Sequence, residues 1–477
     1  MTGSKSHHHD HEGRTASLHL SQVGLDTVNP LVFGTHDSKT VEQLTNCLTV
    51  EEGARGVLCA DGHVGYSMPI GGVVAYRGLI SPSGVGYDIG CGNMAVRTTI
   101  RTDDVKPEDY IKWADEIQKR ISFGIGRNND EKVDAPVLEW IRNAEVPEQR
   151  KLAQLAANQL GTVGSGNHYV DIFSGVQDGF IWVGVHFGSR GFGHKTANMF
   201  LNVAKGLPID APPSDGEMMS PPLVFDVKSQ AGQDYIEAMQ LAGQYAHYGR
   251  EAVVWRVLDI LGTKFTEIVH NHHNFAWEEE HGGEKYWVVR KGATPAFPGQ
   301  RGFVGGSMGD ISVILEGVDS ELSRQSFYST VHGAGRLMSR NQAIKGKHAW
   351  ECPCVTVPSI DVCRYDGSSK GSGYKNCDVS FAPPQQKPPK DMKCPKHPSL
   401  QLVKKQLEPP INFRDVQDSE KAMGIQLRGA GPDEAPSVYR KLASVLAAHE
   451  GTVKPLNVLL PKIVVMAGKD VRDPYAD

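Results

Sequence analysis

Along this chain the apolar positions change their period several times, and each change marks an element. Tyr110, Ile111, Ala114, Ile117 and Ile121 recur at helical spacing, which predicts a helix over Pro107 to Ile121. The same logic predicts a second helix from Glu148 to Leu160, stopped at Gly161. Ile236, Met239, Ala246, Val253, Val257 and Leu261 outline the longest one, Tyr235 to Leu261. Unbroken apolar runs predict strands instead. These are Gly71 to Tyr76 after a glycine turn, the short Leu79-Ile80, Phe180 to Val185 ending on His186, and Lys462 to Met466. Pro82-Ser83-Gly84 reads as a turn.

Helices and strands mix without a regular strand–helix–strand beat. The expected fold class is therefore α+β, a single large domain of mixed sheets flanked by helices, rather than a doubly wound parallel sheet. Residues 1–20, which include His7, His8, His9 and His11, read as a disordered tail ahead of a 21–477 domain. From about 349 to 410 the periodic pattern lapses, and the run Pro383-Pro384-Gln385-Gln386-Lys387-Pro388-Pro389-Lys390 has no core-forming face. This stretch is expected to be an insertion on the surface of the fold.

Composition narrows the picture only a little. The 477 residues suffice for one large core or two ordinary ones. A net charge of −5 argues against non-specific coating of nucleic acid, while leaving room for a local basic groove. No apolar run is long enough to cross a bilayer, and the polar opening has no apolar signal segment, so a cytoplasmic protein with no membrane partner is expected. Reduced thiols follow from that location for the eight cysteines, five of which crowd 352 to 394.

The chemistry starts at Asp88 and Cys91, three residues apart on a glycine-rich turn. A carboxylate and a thiolate aimed at one spot suit a borderline-soft divalent ion such as Mn²⁺, Zn²⁺ or Fe²⁺. Taken alone, the pair is better explained by a turn-forming Asp beside a small buried Cys. His168, His186 and His332 then stand beside glycines, and His270, His272 and His273 crowd one stretch, which shifts the balance towards a two-metal site. Spacing alone does not bring these residues together.

The motifs, read in order, resemble the RtcB family of RNA-splicing ligases. They are Pro69-Ile70-Gly71-Gly72-Val73 with Ser83-Gly84-Val85-Gly86-Tyr87-Asp88-Ile89-Gly90-Cys91-Gly92, then Gly164-Ser165-Gly166-Asn167-His168, then His186-Phe187-Gly188-Ser189-Arg190-Gly191 and His273-Asn274. Arg290-Lys291-Gly292-Ala293, Gly306-Ser307-Met308-Gly309 and His332-Gly333-Ala334-Gly335-Arg336-Leu337-Met338-Ser339-Arg340 follow. The resemblance covers roughly Gly56 to His348 and resumes from about Met423 to Lys469. It implies metal ligands at Asp88, Cys91, His168, His186 and His273, with Cys91 suited to bridging two Mn²⁺ ions. It implies a guanylylated histidine at His332 and GTP contacts at Asn167, Ser307, Ser312, Arg336, Tyr439 and Lys469, with Asp61 close to His332. The implied reaction joins a 2′,3′-cyclic phosphate or 3′-phosphate RNA end to a 5′-hydroxyl end. The implied partners are RNA ends, tRNA halves or damaged RNA, with room for an activating helper protein and a monomeric chain.

Two positions depart from the family pattern. Asp171 stands where the family usually places a Glu that reads the guanine base, and Phe187 stands where a small polar residue is usual. Three other readings use much of the same set: a metal-dependent RNA phosphoesterase, which would not need His332, Ser307 or Lys469; an enzyme that leaves GMP on a 3′-phosphate; and an RNA-binding remnant. The insertion carries Cys352, Cys354, Cys363, Cys377, Cys394 and His397, a set that reads either as a structural zinc module or as a loop with reduced thiols. Lys387, Lys390, Lys393 and Lys396 offer RNA contacts in the second case.

Overall fold

The helix Gln230–Leu261 is the longest element, and it is apolar at both ends for different partners. Tyr235, Met239 and Ala242 join one buried cluster with Phe192, Ile89 and Val289. Val253, Val254, Val257 and Leu258 join a second with Val183, Val185 and Ile463. Ser229 caps its start by accepting from the Gly232 N–H, and Gly262 ends it in the left-handed region at φ 66°. The cap explains why the helix begins five residues before the predicted Tyr235: the polar first turn carries no periodic signal but needs none once capped.

This computed structural model describes residues 29–213, 218–351, 393–394, 397–401 and 403–468, with backbone alone for 349–351 and between 393 and 405. The expected tail at 1–20, Lys469, and Cys352, Cys354, Cys363 and Cys377 lie outside the described residues. Two compact units are present. The larger falls within Met1–Leu337, Gln417–Ala430 and Tyr439–Asp473, the smaller within Met338–Val416, Gly431–Val438 and Pro474–Asp477.

The larger unit is α+β and built on two mixed sheets. One runs in the order Leu31–Val32, Arg55–His63, Ile70–Tyr76, Glu284–Lys291, Asn274–His281. The other runs Arg301–Val304, Ser312–Gly317, Val453–Gly468, Tyr169–Gly175, Phe180–Phe187, Gly92–Arg101, Phe265–His272, with Gln426–Ala430 parallel to Val453–Gly468. From Ser312–Gly317 through Phe265–His272 the neighbours on that path are antiparallel. The chain passes from the second sheet to the first within a single residue, His273.

Most predicted elements are present with shifted ends. Pro107–Arg120 is helical, and Ile70–Tyr76, Leu79–Ile80 and Phe180–Phe187 are strands. The predicted helix from Glu148 to Leu160 is two pieces, Pro147–Arg150 and Ala153–Gln159. There the buried Gln149 donates to the Ala238 carbonyl on the long helix, and the chain tightens to a Leu152 N–H to Gln149 bond. The predicted turn at Pro82 is one helical turn, Pro82–Val85, because Ser81 accepts from the Gly84 N–H and proline suits the first helical position. The final strand starts at Val453, nine residues before the predicted Lys462, since it first pairs with Ser312–Gly317 and only then with Tyr169–Gly175.

In the smaller unit, Ser339 and Gln342 form a capping box at the start of helix Arg340–Lys345, and Arg340 pairs with Asp433 at 2.7 Å and with Glu434. Lys347–Glu351 pairs antiparallel with Val403–Glu408, so the two ends of the expected insertion meet in one ladder. Within it Cys394 and His397 are register partners between two short strands.

Candidate active site and metal centre

Four of the implied ligands come from four neighbouring strands, all at the same end of the sheet. His168 precedes Tyr169–Gly175, His186 is the next-to-last residue of Phe180–Phe187, Cys91 precedes Gly92–Arg101, and His273 follows Phe265–His272. The register states the same: Tyr169 faces His186, Asn93 faces His186, and Gly92 faces His272. Antiparallel pairing thus gathers residues that the sequence scatters over more than 180 positions. The Asp88–Cys91 turn, closed by the Cys91 N–H to Asp88 carbonyl bond of 3.0 Å, adds the carboxylate. A Cβ at Gly188 would collide with that carboxylate, so any other residue there would displace Asp88.

The donor atoms form two groups, Cys91 with His186 and His273, and Asp88 with Cys91 and His168. Cys91 belongs to both. Its Sγ lies 3.4 Å from His186 Nε2 and 3.7 Å from His168 Nε2. His186 Nε2 is 3.3 Å from His273 Nε2, and His168 Nε2 is 3.1 Å from Asp88 Oδ2. His186 Nδ1 donates to the Asn167 carbonyl at 3.1 Å, which leaves its Nε2 as a lone pair aimed into the cluster.

The electrostatics ask for cations. Burial, then the neighbouring Asp88 carboxylate, pushes the Cys91 thiol well above its ordinary range, so a thiolate there needs positive charge close by. Burial holds His186 and His273 well below the usual imidazole range, so both are neutral and fit to ligate. Sulfur, imidazole nitrogen and carboxylate oxygen together suit a borderline transition-metal ion.

His332 stands at the rim of this cluster, its ring centre 4.7 Å from that of His273 and 6.4 Å from that of His186. Asp61, wholly buried in the irregular part of strand Arg55–His63, orients it. One oxygen, Asp61 Oδ2, accepts from His332 Nδ1 at 2.7 Å and from the His332 backbone N–H at 3.1 Å. Burial works to raise the Asp61 pKa, but the charge and hydrogen bonds of His332 outweigh it and hold the carboxylate below its ordinary value. With Nδ1–H committed to Asp61, the free lone pair of His332 is on Nε2, as a nucleophile requires. Asn93 Nδ2 donates to the His332 carbonyl at 3.2 Å and fixes the loop from the metal side.

The remaining implied residues among those described also lie in the larger unit. Asn167 adjoins His168 and supplies the carbonyl on His186. Arg336 donates to the Tyr439 hydroxyl at 2.9 Å and lies over its ring at 5.1 Å. Ser312 Oγ accepts from the Gly306 N–H at 3.1 Å, and the Ser307 carbonyl accepts from the Asp310 N–H at 2.9 Å, which shapes one loop. Asp171 is buried on strand Tyr169–Gly175, and its Oδ1 has no hydrogen-bond partner among the described residues. Phe187, the other departure, is wholly buried in the second apolar cluster.

The family model for tRNA-splicing ligase RtcB matches residues 43–352. The chain belongs to the RtcB family. It is 32% identical over 392 residues to the tRNA-splicing ligase RtcB of Thermococcus kodakarensis, a match covering 65% of this chain and 80% of that one. It is 33% identical over 311 residues to the RNA-splicing ligase RtcB of Escherichia coli K12, covering 60% and 74%. It is 30% identical over 386 residues to the RNA-splicing ligase RtcB homolog 2 of Entamoeba dispar, covering 65% and 72%.

Reasoning from motifs alone gives no role to two arginines in this RtcB chain, one half-buried and one wholly buried. Arg190, at φ 54°, packs beside Asp88 and donates to the Gly124 carbonyl at 2.8 Å. Its signal was its place four residues after the strand-end His186. Arg250 is wholly buried in the long helix. Its signal was the helical register: it sits four residues after Ala246 and three before Val253, where the stripe is otherwise apolar. Among the described residues no helix is long and apolar enough to cross a membrane.

Proposed function

We propose that this protein is an RNA ligase that joins 2′,3′-cyclic phosphate or 3′-phosphate ends to 5′-hydroxyl ends through a GMP-bearing His332, using GTP and two Mn²⁺ ions. The observation that carries this reading is the Asp61–His332 pair, with Nδ1 committed and the ring set against the two ligand groups that share Cys91.

Asp88, Cys91, His168, His186 and His273 would hold the ions, which when bound offset negative charge on phosphate oxygens. His332 Nε2 attacks the α-phosphorus of GTP; a P–N bond forms, the bond to the bridging oxygen breaks, and pyrophosphate leaves. Asp61 stabilises the imidazolium that forms. His332 then hands GMP to the RNA 3′-phosphate: a P–O bond forms, the P–N bond breaks, and its electron pair returns to Nε2. Attack of the 5′-hydroxyl on that activated phosphate closes the strand and expels GMP. A cyclic end is opened by water first. Asn167, Ser307, Ser312, Arg336, Tyr439 and Lys469 would seat the nucleotide.

The protein incubated with labelled GTP and Mn²⁺ should acquire one GMP, located at His332 by mass spectrometry, and should seal cyclic-phosphate and 5′-hydroxyl RNA ends. Opening of cyclic ends without any adduct would replace this reading with a phosphoesterase.

Asp171 is proposed to read the guanine base, for which its partnerless Oδ1 on the strand that follows His168 supplies an acceptor. The Tyr169 hydroxyl, on the same face of that strand, lacks a partner among the described residues as well. Burial pushes the Asp171 carboxyl well above its ordinary value of 3.8, so its folded form binds a proton that the unfolded chain releases. Stability therefore falls as pH rises from about that ordinary value, and at neutral pH the carboxyl is a cost. Asp171→Asn should raise the melting temperature at pH 7 by roughly 2 °C or more, an advantage that vanishes below pH 4, while weakening GTP use about tenfold. Calorimetry at both pH values and adduct yield against GTP concentration check this. Unchanged GTP dependence would remove Asp171 from the guanine site.

A further inference from the structure

Arg250 interrupts the apolar stripe of helix Gln230–Leu261 between the positions serving the first buried cluster and those serving the second. Every arm of its guanidinium is engaged. Nε donates to His270 Nε2 at 2.8 Å, Nη1 donates to the Gly90 and Phe187 carbonyls, each at 2.8 Å, and Nη2 lies 3.0 Å from His272 Nδ1. Gly90 precedes Cys91, Phe187 follows His186, and His272 precedes His273. One planar group thus touches the chain neighbour of each residue in the Cys91–His186–His273 group.

We propose that Arg250 is a positioning residue that holds Cys91, His186 and His273 at ligating distance before any metal arrives. The proposal rests on the metal centre described under Proposed function. Three segments that are not consecutive must present their donors within a few tenths of an ångström, and partners just outside the ligand shell set that spacing. A guanidinium suits the task because its donors radiate in a fixed plane, whereas a lysine ammonium offers one point. The Gly90 N–H also donates to the Asn274 carbonyl at 2.8 Å, His272 Nδ1 lies 3.0 Å from the Gly90 carbonyl, and Gly92 is the register partner of Phe187. Those contacts link the segments two at a time, whereas Arg250 joins all three through one rigid group.

The far side of the guanidinium is backed by a second layer. His270 stacks on His247 with ring centres 3.8 Å apart and planes 18° from parallel, and His247 Nε2 is 3.3 Å from Glu251 Oε1. His247, Glu251 and His270 have the ligand types of a metal site. Stacked rings, however, direct their in-plane lone pairs along two separate planes, so one ion cannot lie in both. His270 Nε2 already accepts from Arg250. The group reads as the backing of the Arg250 network.

Cobalt(II) titration of the full chain separates positioning from folding, because a cobalt–thiolate bond gives a near-ultraviolet charge-transfer band and the visible bands report geometry. Wild type should show both. Arg250→Lys and Arg250→Met should melt cooperatively yet bind cobalt at least about tenfold more weakly, with an altered visible envelope, and Lys should recover only part of the loss. Variants that melt earlier but bind cobalt with wild-type affinity and spectrum overturn the proposal. So does failure of both to fold, which makes Arg250 a folding residue alone. A wild-type chain with no cobalt–thiolate band removes the metal centre itself, and Arg250 then has nothing to position.

Discussion

His332→Ala should abolish the GMP adduct and cut ligation by at least about a thousandfold, while the chain keeps its metal and its fold. The expectation follows from where the ring sits. His332 is an immediate neighbour of the His273 ring, yet it belongs to neither ligand group, so its loss leaves the donors Asp88, Cys91, His168, His186 and His273 in place. Its replacement does strand the Asp61 carboxylate, which is wholly buried and loses the imidazole partner. A moderate drop in melting temperature is therefore expected at neutral pH, where Asp61 is ionised. Elemental analysis, melting and labelled-GTP transfer on the same preparation read the three consequences separately. Ligation that survives the substitution would exclude His332 as the carrier of GMP.

Cys91→Ala should remove both metal sites at once, whereas His273→Ala or His168→Ala should remove one. The asymmetry comes from the sharing of Cys91: the two groups have no other member in common. Without the thiolate each group keeps only two donors, too few for a tight site, and metal affinity should fall by about a hundredfold or more. Cys91 is buried, and alanine leaves only a small cavity, so the fold should survive with a loss of roughly 1 kcal/mol. Guanylylation should disappear with the metal. Wild-type metal stoichiometry in Cys91→Ala would break the assignment, and equal losses in all three variants would argue against a shared ligand.

Elements with strong internal period were legible before the structure. The helix at Pro107 follows from helical spacing of its apolar residues and the strands at Ile70, Leu79 and Phe180 from short apolar runs, both readable within a local window. The helix break after Arg150 was not legible, because what stops it is a side-chain bond from Gln149 to the Ala238 carbonyl, far away in sequence. The same holds for the first half of strand Val453–Gly468, whose partners are Ser312–Gly317. At the candidate site, the identities of the residues were readable from their motifs, but their relations were not. Nothing in the Gly-Ser-Gly-Asn-His stretch says that the Asn167 carbonyl orients His186, or that Asp61 orients His332.

By itself, the sequence determined the residue types, the glycine-bearing turns and the family, since these are local and depend only on order along the chain. It also carried the α+β class, through the mixture of two periods. The tertiary structure alone decided that His168, His186, Cys91 and His273 end or begin neighbouring strands at one edge, that Cys91 is shared, and that an arginine in the middle of the longest helix ties three of the segments together. The physical reason is that pairing register and buried hydrogen bonds link positions far apart in the chain. Their energies depend on distances in space that exist only once both sheets and the helix beside them have packed.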